Sequence, residues 1–276
     1  MLAVGLFAAA GMFAARADRL TWDAALSGGS GGSGTWNLNS TANWWNGSGD
    51  VTWKDNSGNG TNTAVFSGLS GTVTLSTSLS ASNLQFSTAG YTLSGSGTLT
   101  LGAGGIDASG VGSGTTTIGD ALSLSGGQQS WLVGGGSTLA INGAISRAAG
   151  ATVDFAPSGV TSSTLANVND ILGGWATVGG VNSAGGDWAA NDGTGNIIAY
   201  AGYTQVTGDQ TGAGASAQNW ENSGGTVTLT ASASINSLNQ LNDFTVNAGC
   251  TLTLNSGGLI LGSVSRWMLG AALRVF

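Results

Sequence analysis

Two carboxylates and an indole stand within six residues in Asp187-Trp188-Ala189-Ala190-Asn191-Asp192, and a second indole, Trp175, lies shortly upstream in Ile171-Leu172-Gly173-Gly174-Trp175-Ala176-Thr177. Side chains of these types can grip a carbohydrate, because an indole stacks on the apolar face of a sugar ring while carboxylates and amides bond its hydroxyls. Trp175, Asp187, Trp188 and Asp192 are therefore the candidate ligand-binding residues. The same stretch also reads as a polar loop held by Asx turns. Cleaving a sugar would require paired acids, and Glu221, the one glutamate, has no acidic neighbour in sequence. Histidine is absent, which removes the commonest general base and every Ser-His or Cys-His arrangement. Cys250 is the one cysteine and cannot form an internal disulfide; it reads as a small residue at a strand start. Asp55, Ser57 and Asn59 echo a calcium loop, but its twelfth position, which needs a bidentate Glu, is Phe66. Gly102-Ala103-Gly104-Gly105 lacks the Lys-Ser/Thr of a phosphate loop. No catalytic residue, metal ligand or cofactor site is assigned.

Composition narrows the class. The chain has 276 residues, 50 of them glycine, one proline, 41% hydrophobic residues and 7% charged residues. Glycine follows no triplet period, so a collagen helix is excluded. Val, Leu and Ile recur at every second position between Gly/Ser/Asn turns, a pattern that opposes disorder. Six basic residues against 13 acidic ones leave a net charge of -7, which repels phosphates and argues against a nucleic-acid partner.

The elements that must position these residues are short alternating strands. Strand-like runs include Val73-Thr74-Leu75, Tyr91-Thr92-Leu93, Thr98-Leu99-Thr100-Leu101 and Thr138-Leu139-Ala140-Ile141, with Leu/Ile/Val on one face and Thr/Ser/Asn on the other. One block occurs twice. Gly71-Thr72-Val73-Thr74-Leu75 matches Gly225-Thr226-Val227-Thr228-Leu229, and Ser82-Asn83-Leu84 matches Asn236-Ser237-Leu238. The match runs on through Thr98-Leu99-Thr100-Leu101 against Thr251-Leu252-Thr253-Leu254, with one deleted residue. Repetition of such units predicts an all-β fold, a parallel β-helix with one rung per ~20–25 residues.

The chain divides on this reading into five parts. Residues 1–17 are apolar and end in Ala15-Arg16-Ala17, a small-x-small pattern that predicts an export signal. Residues 18–68 carry Trp22, Trp36, Trp44, Trp45 and Trp53 and are expected to cap the open end of the solenoid; within them the run Ser27 to Gly34 has the composition of a flexible loop. Residues 69–262 form the β-solenoid, with a longer excursion at about 152–203. Residues 263–276 break style and read as the end of a truncated chain.

These residues resemble a known family. Thr21-Trp22-Asp23, Gly34-Thr35-Trp36-Asn37, Asn43-Trp44, Asn62-Thr63-Ala64-Val65-Phe66, Gln129-Ser130-Trp131 and the insert Ile171 to Tyr200 are similar to bacterial proteins with autotransporter-associated β-strand repeats. The similarity covers about Leu20 to Leu261. It implies a right-handed parallel β-helix, passenger-like, secreted or displayed on the bacterial cell surface, adhesin-like, and without catalytic residues to carry over. Members are usually much longer, and many end in an anchor or an outer-membrane β-barrel; contact with the outer membrane is expected only through such a segment, missing from this sequence. The function expected is thus a non-enzymatic structural or adhesive solenoid, with extracellular glycans or other cell-surface proteins as partners. The alternative is a carbohydrate-binding module using Trp and Asp/Asn loops, and behind it a polysaccharide-active β-helix enzyme.

Overall fold

The computed structural model describes residues 18–55, 62–180, 186–262, 267–269 and 272–275. The expected export signal at 1–17, most of the calcium-like loop and parts of the atypical end lie outside the described residues. Among the described residues the chain is all β, a parallel solenoid of about nine turns. Its strands fall into sheets of 13, 6, 5 and 4 strands. The first two sheets are the walls of one stack, from strand Arg19–Trp22 to strand Ile197–Ala199; the other two are the walls of a second stack, from strand Thr204–Gln205 onward.

Alternation sets what each wall buries. On one wall of the first stack, parallel register aligns Leu20, Ala64, Leu84, Ile106, Trp131, Phe155 and Val178. Every one of them is buried. On the other wall Val73, Leu93, Ile118 and Ile141 align in the same way, while Thr72, Thr92, Thr117, Ala140 and Thr161 form an outward column beside them. Side chains from successive rungs therefore stack on like neighbours, and burial of each apolar group depends on the rungs above and below.

The two copies of the repeated block fold as the same unit. Strands Leu79–Phe86 and Thr98–Ala108 pair in parallel with a register shift between Ala81 and Asn83. Strands Ala233–Gln240 and Thr251–Leu261 pair likewise, with a shift between Ile235 and Ser237. These are equivalent positions in the two copies. An extra residue bends a strand locally, so the bulge lets one long strand turn a corner of the rung, and it is repeated with the sequence.

At the N-terminal end, strands Trp44–Trp45 and Asp50–Val51 add to strand Arg19–Trp22 in antiparallel fashion. They lie at the open edge of the sheet, where unpaired backbone groups would otherwise be exposed. Beneath them the expected aromatic cap is present. Trp22, Trp36, Trp44 and Trp53 are fully buried, with ring centroids 4.6–5.1 Å apart in the contacting pairs. Phe66 touches Trp22, Trp36 and Trp44 on one side and stacks on Phe86 at 4.8 Å on the other. It joins the plug to the column.

The Ser27–Gly34 run has the composition of a flexible linker, yet it is folded around one carboxylate. Asp23, fully buried, accepts hydrogen bonds from the backbone N–H groups of Ser27, Gly28, Gly29 and Ser30 and from the Ser30 hydroxyl, at 2.6–3.3 Å. Burial alone would raise its pKa; the bonds from Gly29, Ser27 and Ser30 override that and hold it far below the usual range. Gly31 has φ +82°, and a Cβ there would lie 2.3 Å from both the Leu69 carbonyl oxygen and the Tyr91 hydroxyl. Glycine is thus required for the close approach as well as for the turn.

One interior acid has no such cage. Asp120 is 1% exposed and neither of its oxygens has a hydrogen-bond partner. Burial pushes its pKa from 3.8 up to about 6. Because the folded state then holds the proton more tightly than the unfolded chain, stability falls as pH rises from about 4 through about 6 and is level above.

Two outcomes are expected. Phe66→Ala should cost about 3–5 kcal/mol in urea unfolding, the range for emptying a large aromatic site in a core. Asp120→Asn should raise stability above pH 6 by up to about 3 kcal/mol, the linkage value of a two-unit shift, and the gain should vanish below pH 4. Equal effects of Asp120→Asn at pH 4 and pH 8 would refute the buried-charge account.

Candidate functional site

The excursion begins where the first stack stops adding parallel rungs. Strand Ala176–Val178 still pairs in parallel with Thr152–Phe155. Strand Asp187–Asn191 then runs antiparallel to it, and Ile197–Ala199 antiparallel in turn. The turn between these last two strands is built by its own side chains. Asp192 accepts from Thr194 N–H, the Thr194 hydroxyl, Asn196 N–H and the Asn196 amide at 2.7–3.1 Å. The bonds from the Asn196 and Thr194 side chains come first among the causes that draw its pKa down to about 2.

Of the four candidate residues, Asp192 thus lies in a turn whose bonds it already satisfies. The other three sit near the junction of the two stacks. Trp175 is half-buried. Its indole N–H donates to the Leu172 carbonyl at 2.9 Å, Phe155 meets it edge-on, and the Arg147 guanidinium lies 4.7 Å from its ring centroid. Trp188 is 2% exposed and packs with Ile171 and with Ile260 of the second stack, backed by Tyr200 and Tyr203. Trp175 and Trp188 both line one pocket of about 240 Å³.

Asp187 faces the second stack. The Asn239 amide donates to Asp187 Oδ1 and to Glu221 Oε1, each at 3.2 Å. Gln205 donates to Glu221 Oε2 at 2.6 Å, and Ser223 donates to Gln205 at 2.6 Å. The Tyr203 hydroxyl accepts from Trp188 N–H at 3.2 Å and bonds Asp187. Burial first, and the Glu221 charge second, raise the Asp187 pKa, against the bonds from Tyr203 and Asn239. Burial likewise pushes the Tyr203 phenol well above its usual value.

A second set of amides closes the same seam. Asn219 Oδ1 accepts from Asn236 and from the Ser237 hydroxyl, both at 2.7 Å. Asn219 also donates to the Asn169 carbonyl at 2.8 Å, and Asn169 donates to Asn236 Oδ1 at 3.0 Å. The excursion is thereby stitched through the exposed Asn169 to buried amides of the second stack, Asn219 and Asn236, whose bonds are costly to lose.

Sequence spacing did not bring Glu221 to Asp187, since 34 positions separate them; register across two stacks does. The available signal was polarity at buried positions, because strand Ala233–Gln240 is buried through Asn236, Ser237, Asn239 and Gln240. Chemically the carboxylate pair is a clamp: one amide nitrogen bridges both acids, and neither acid belongs to the pocket wall. Among the described residues no group of three or more His, Cys, Asp or Glu could hold a metal ion. Asp55, part of the calcium-like motif, accepts from Ser80 N–H and the Trp53 indole instead.

A parallel β-solenoid with a tryptophan plug at its first end is the fold expected of a passenger-like chain. In agreement, the chain is 34% identical over 262 residues to the protein named adhesin BmaC autotransporter, from Brucella suis biovar 1 (strain 1330). The alignment takes in 91% of this chain and 7% of that protein, so the chain spans a small part of its relative's length. This similarity and the parallel β-solenoid both agree with the autotransporter resemblance carried by the residues. No family model and no solved structure matches it.

Asp187→Asn keeps the shape and removes the like charge. Since the folded pKa of Asp187 lies above the unfolded value of 3.8, the wild type loses stability as pH rises through that interval. The variant should therefore melt higher than wild type at pH 7 and alike at pH 3.5, as followed by circular dichroism; a variant that melts lower at both values would show that the charge is wanted.

Proposed function

We propose that this chain is a stretch of a secreted or surface-displayed passenger whose work is structural and adhesive, and that it performs no catalysis. The observation that carries this reading is the similarity along nearly the whole chain to a protein named as an adhesin, in a chain that folds as a β-solenoid. A stack of rungs closed at its first end and studded with outward Thr, Ser and Asn offers a long polar face at little cost in charge. Such a face suits contact with extracellular glycans or with other cell-surface proteins. Residues 1–17 serve as the export signal on this reading.

A second reading, a carbohydrate-binding module, draws on Trp175 and Trp188 meeting in one pocket. The two readings are compatible, since an adhesin needs a ligand.

The full chain, fused to an outer-membrane anchor on a non-adherent bacterium, should raise attachment to epithelial monolayers several-fold over the anchor alone. Unchanged attachment would overturn the adhesive role. Hydrolysis of any polysaccharide in a panel by the purified chain would overturn the non-catalytic one.

A further inference from the structure

The pocket at the junction of the stacks is built from both of them. Gln128, Thr152 and Trp175 come from successive rungs of one wall: Gln128 pairs with Thr152, and Val153, the residue after Thr152, donates its backbone N–H to the Trp175 carbonyl. Leu259 and Ile260 come from the second stack, and Trp188 from the hairpin between. Pockets at such boundaries are common places for ligands. This one, at about 240 Å³, is smaller than the roughly 300–1,000 Å³ of sites for drug-sized molecules. It has room for one ring.

Its walls are of two kinds. Trp175, Trp188, Leu259 and Ile260 are apolar. Gln128 is exposed, and neither its amide nor the Thr152 hydroxyl makes a hydrogen bond among the described residues. The Trp188 indole N–H is buried and has no acceptor among the described residues. A buried donor left unmade is costly, and at a pocket wall a bound partner is one way to satisfy it. The Arg147 guanidinium covers one face of Trp175 and donates to the Ala151 carbonyl at 2.8 Å. It fixes the ring, so that what Trp175 offers the pocket is its remaining surface.

We infer that this pocket binds one neutral pyranose unit of a glycan. A pyranose has an apolar C–H face for the indole and aliphatic wall, and hydroxyls for Gln128, Thr152 and the Trp188 N–H. Acidic sugars are disfavoured, because no cation is among the lining residues and the Asp187–Glu221 pair adjoins the Trp188 wall. A purely apolar ligand would leave the three polar groups unmet. The inference names a ligand for the adhesive surface proposed above, but it rests on the pocket and stands or falls without that role.

Intrinsic tryptophan fluorescence of the full chain, titrated with the methyl glycosides of glucose, galactose, mannose and N-acetylglucosamine, tests it. At least one should give saturable binding, with cyclohexanol and sialic acid giving none. Gln128→Ala, an exposed change with little bearing on folding, should weaken binding by about tenfold, the equivalent of one hydrogen bond. Trp175→Ala should abolish it. The inference is overturned if no neutral glycoside saturates, if cyclohexanol or sialic acid binds as well, or if both variants bind like wild type. Loss of sugar binding in a chain that still confers attachment would sink this inference alone; sugar binding by a chain that confers none would sink the adhesive role alone.

Discussion

Everything in this molecule depends on rungs keeping parallel register, because no rung has a core of its own. Leu20, Ala64, Leu84, Ile106, Trp131, Phe155 and Val178 are buried by stacking on one another along the column. The same arrangement creates the chief difficulty of the fold: a column has open ends, each with a bare apolar interior and unpaired backbone edges. Both ends of the first stack are resolved alike. At one, the 44–45 and 50–51 strands run antiparallel over a plug of four tryptophans. At the other, strands Asp187–Asn191 and Ile197–Ala199 also run antiparallel and close the core with Ala189 and Ile197, while Trp188 packs toward the second stack. Reversing the strand direction halts the propagation of parallel rungs, and at the first end tryptophans also fill the space that a further rung would have filled.

Much of this was legible in the residues. Strict Thr-Leu-Thr-Leu alternation gave the strands and the duplicated block gave the solenoid, while the bulge shared by both copies emerged only from the strand register. The clustering of Trp22, Trp36, Trp44 and Trp53 foretold the plug, since indoles this dense among Asn and Gly turns must be buried by each other. What could not be read was anything decided by distance in space. Asp187 and Glu221 meet because two stacks lie against each other at the excursion, and no local spacing encodes that. The Gly/Ser run at 27–34 misled for the opposite reason. Its composition is that of a linker, while its conformation is dictated by Asp23, a residue outside the run that collects four of its backbone N–H groups.

The candidate site was half legible. Trp175 and Trp188 were singled out for their residue type and do share a pocket. Asp192, chosen for its nearness to Trp188, spends its oxygens on its own turn. Nearness in sequence across a hairpin is a poor guide here, because alternate residues of a strand face opposite ways.

The seam between the stacks has a mechanical meaning. The backbone bonds that join rungs run along the column, so a chain pulled from one end would shed its rungs in turn, each loss exposing the next. A column interrupted by an antiparallel hairpin, with a separate hydrophobic cluster on either side, does not transmit such a tear. Unravelling of the second stack meets the amide stitching of Asn169, Asn219 and Asn236, and the first stack beyond it keeps its own closure. Under load, the excursion would act as a firebreak.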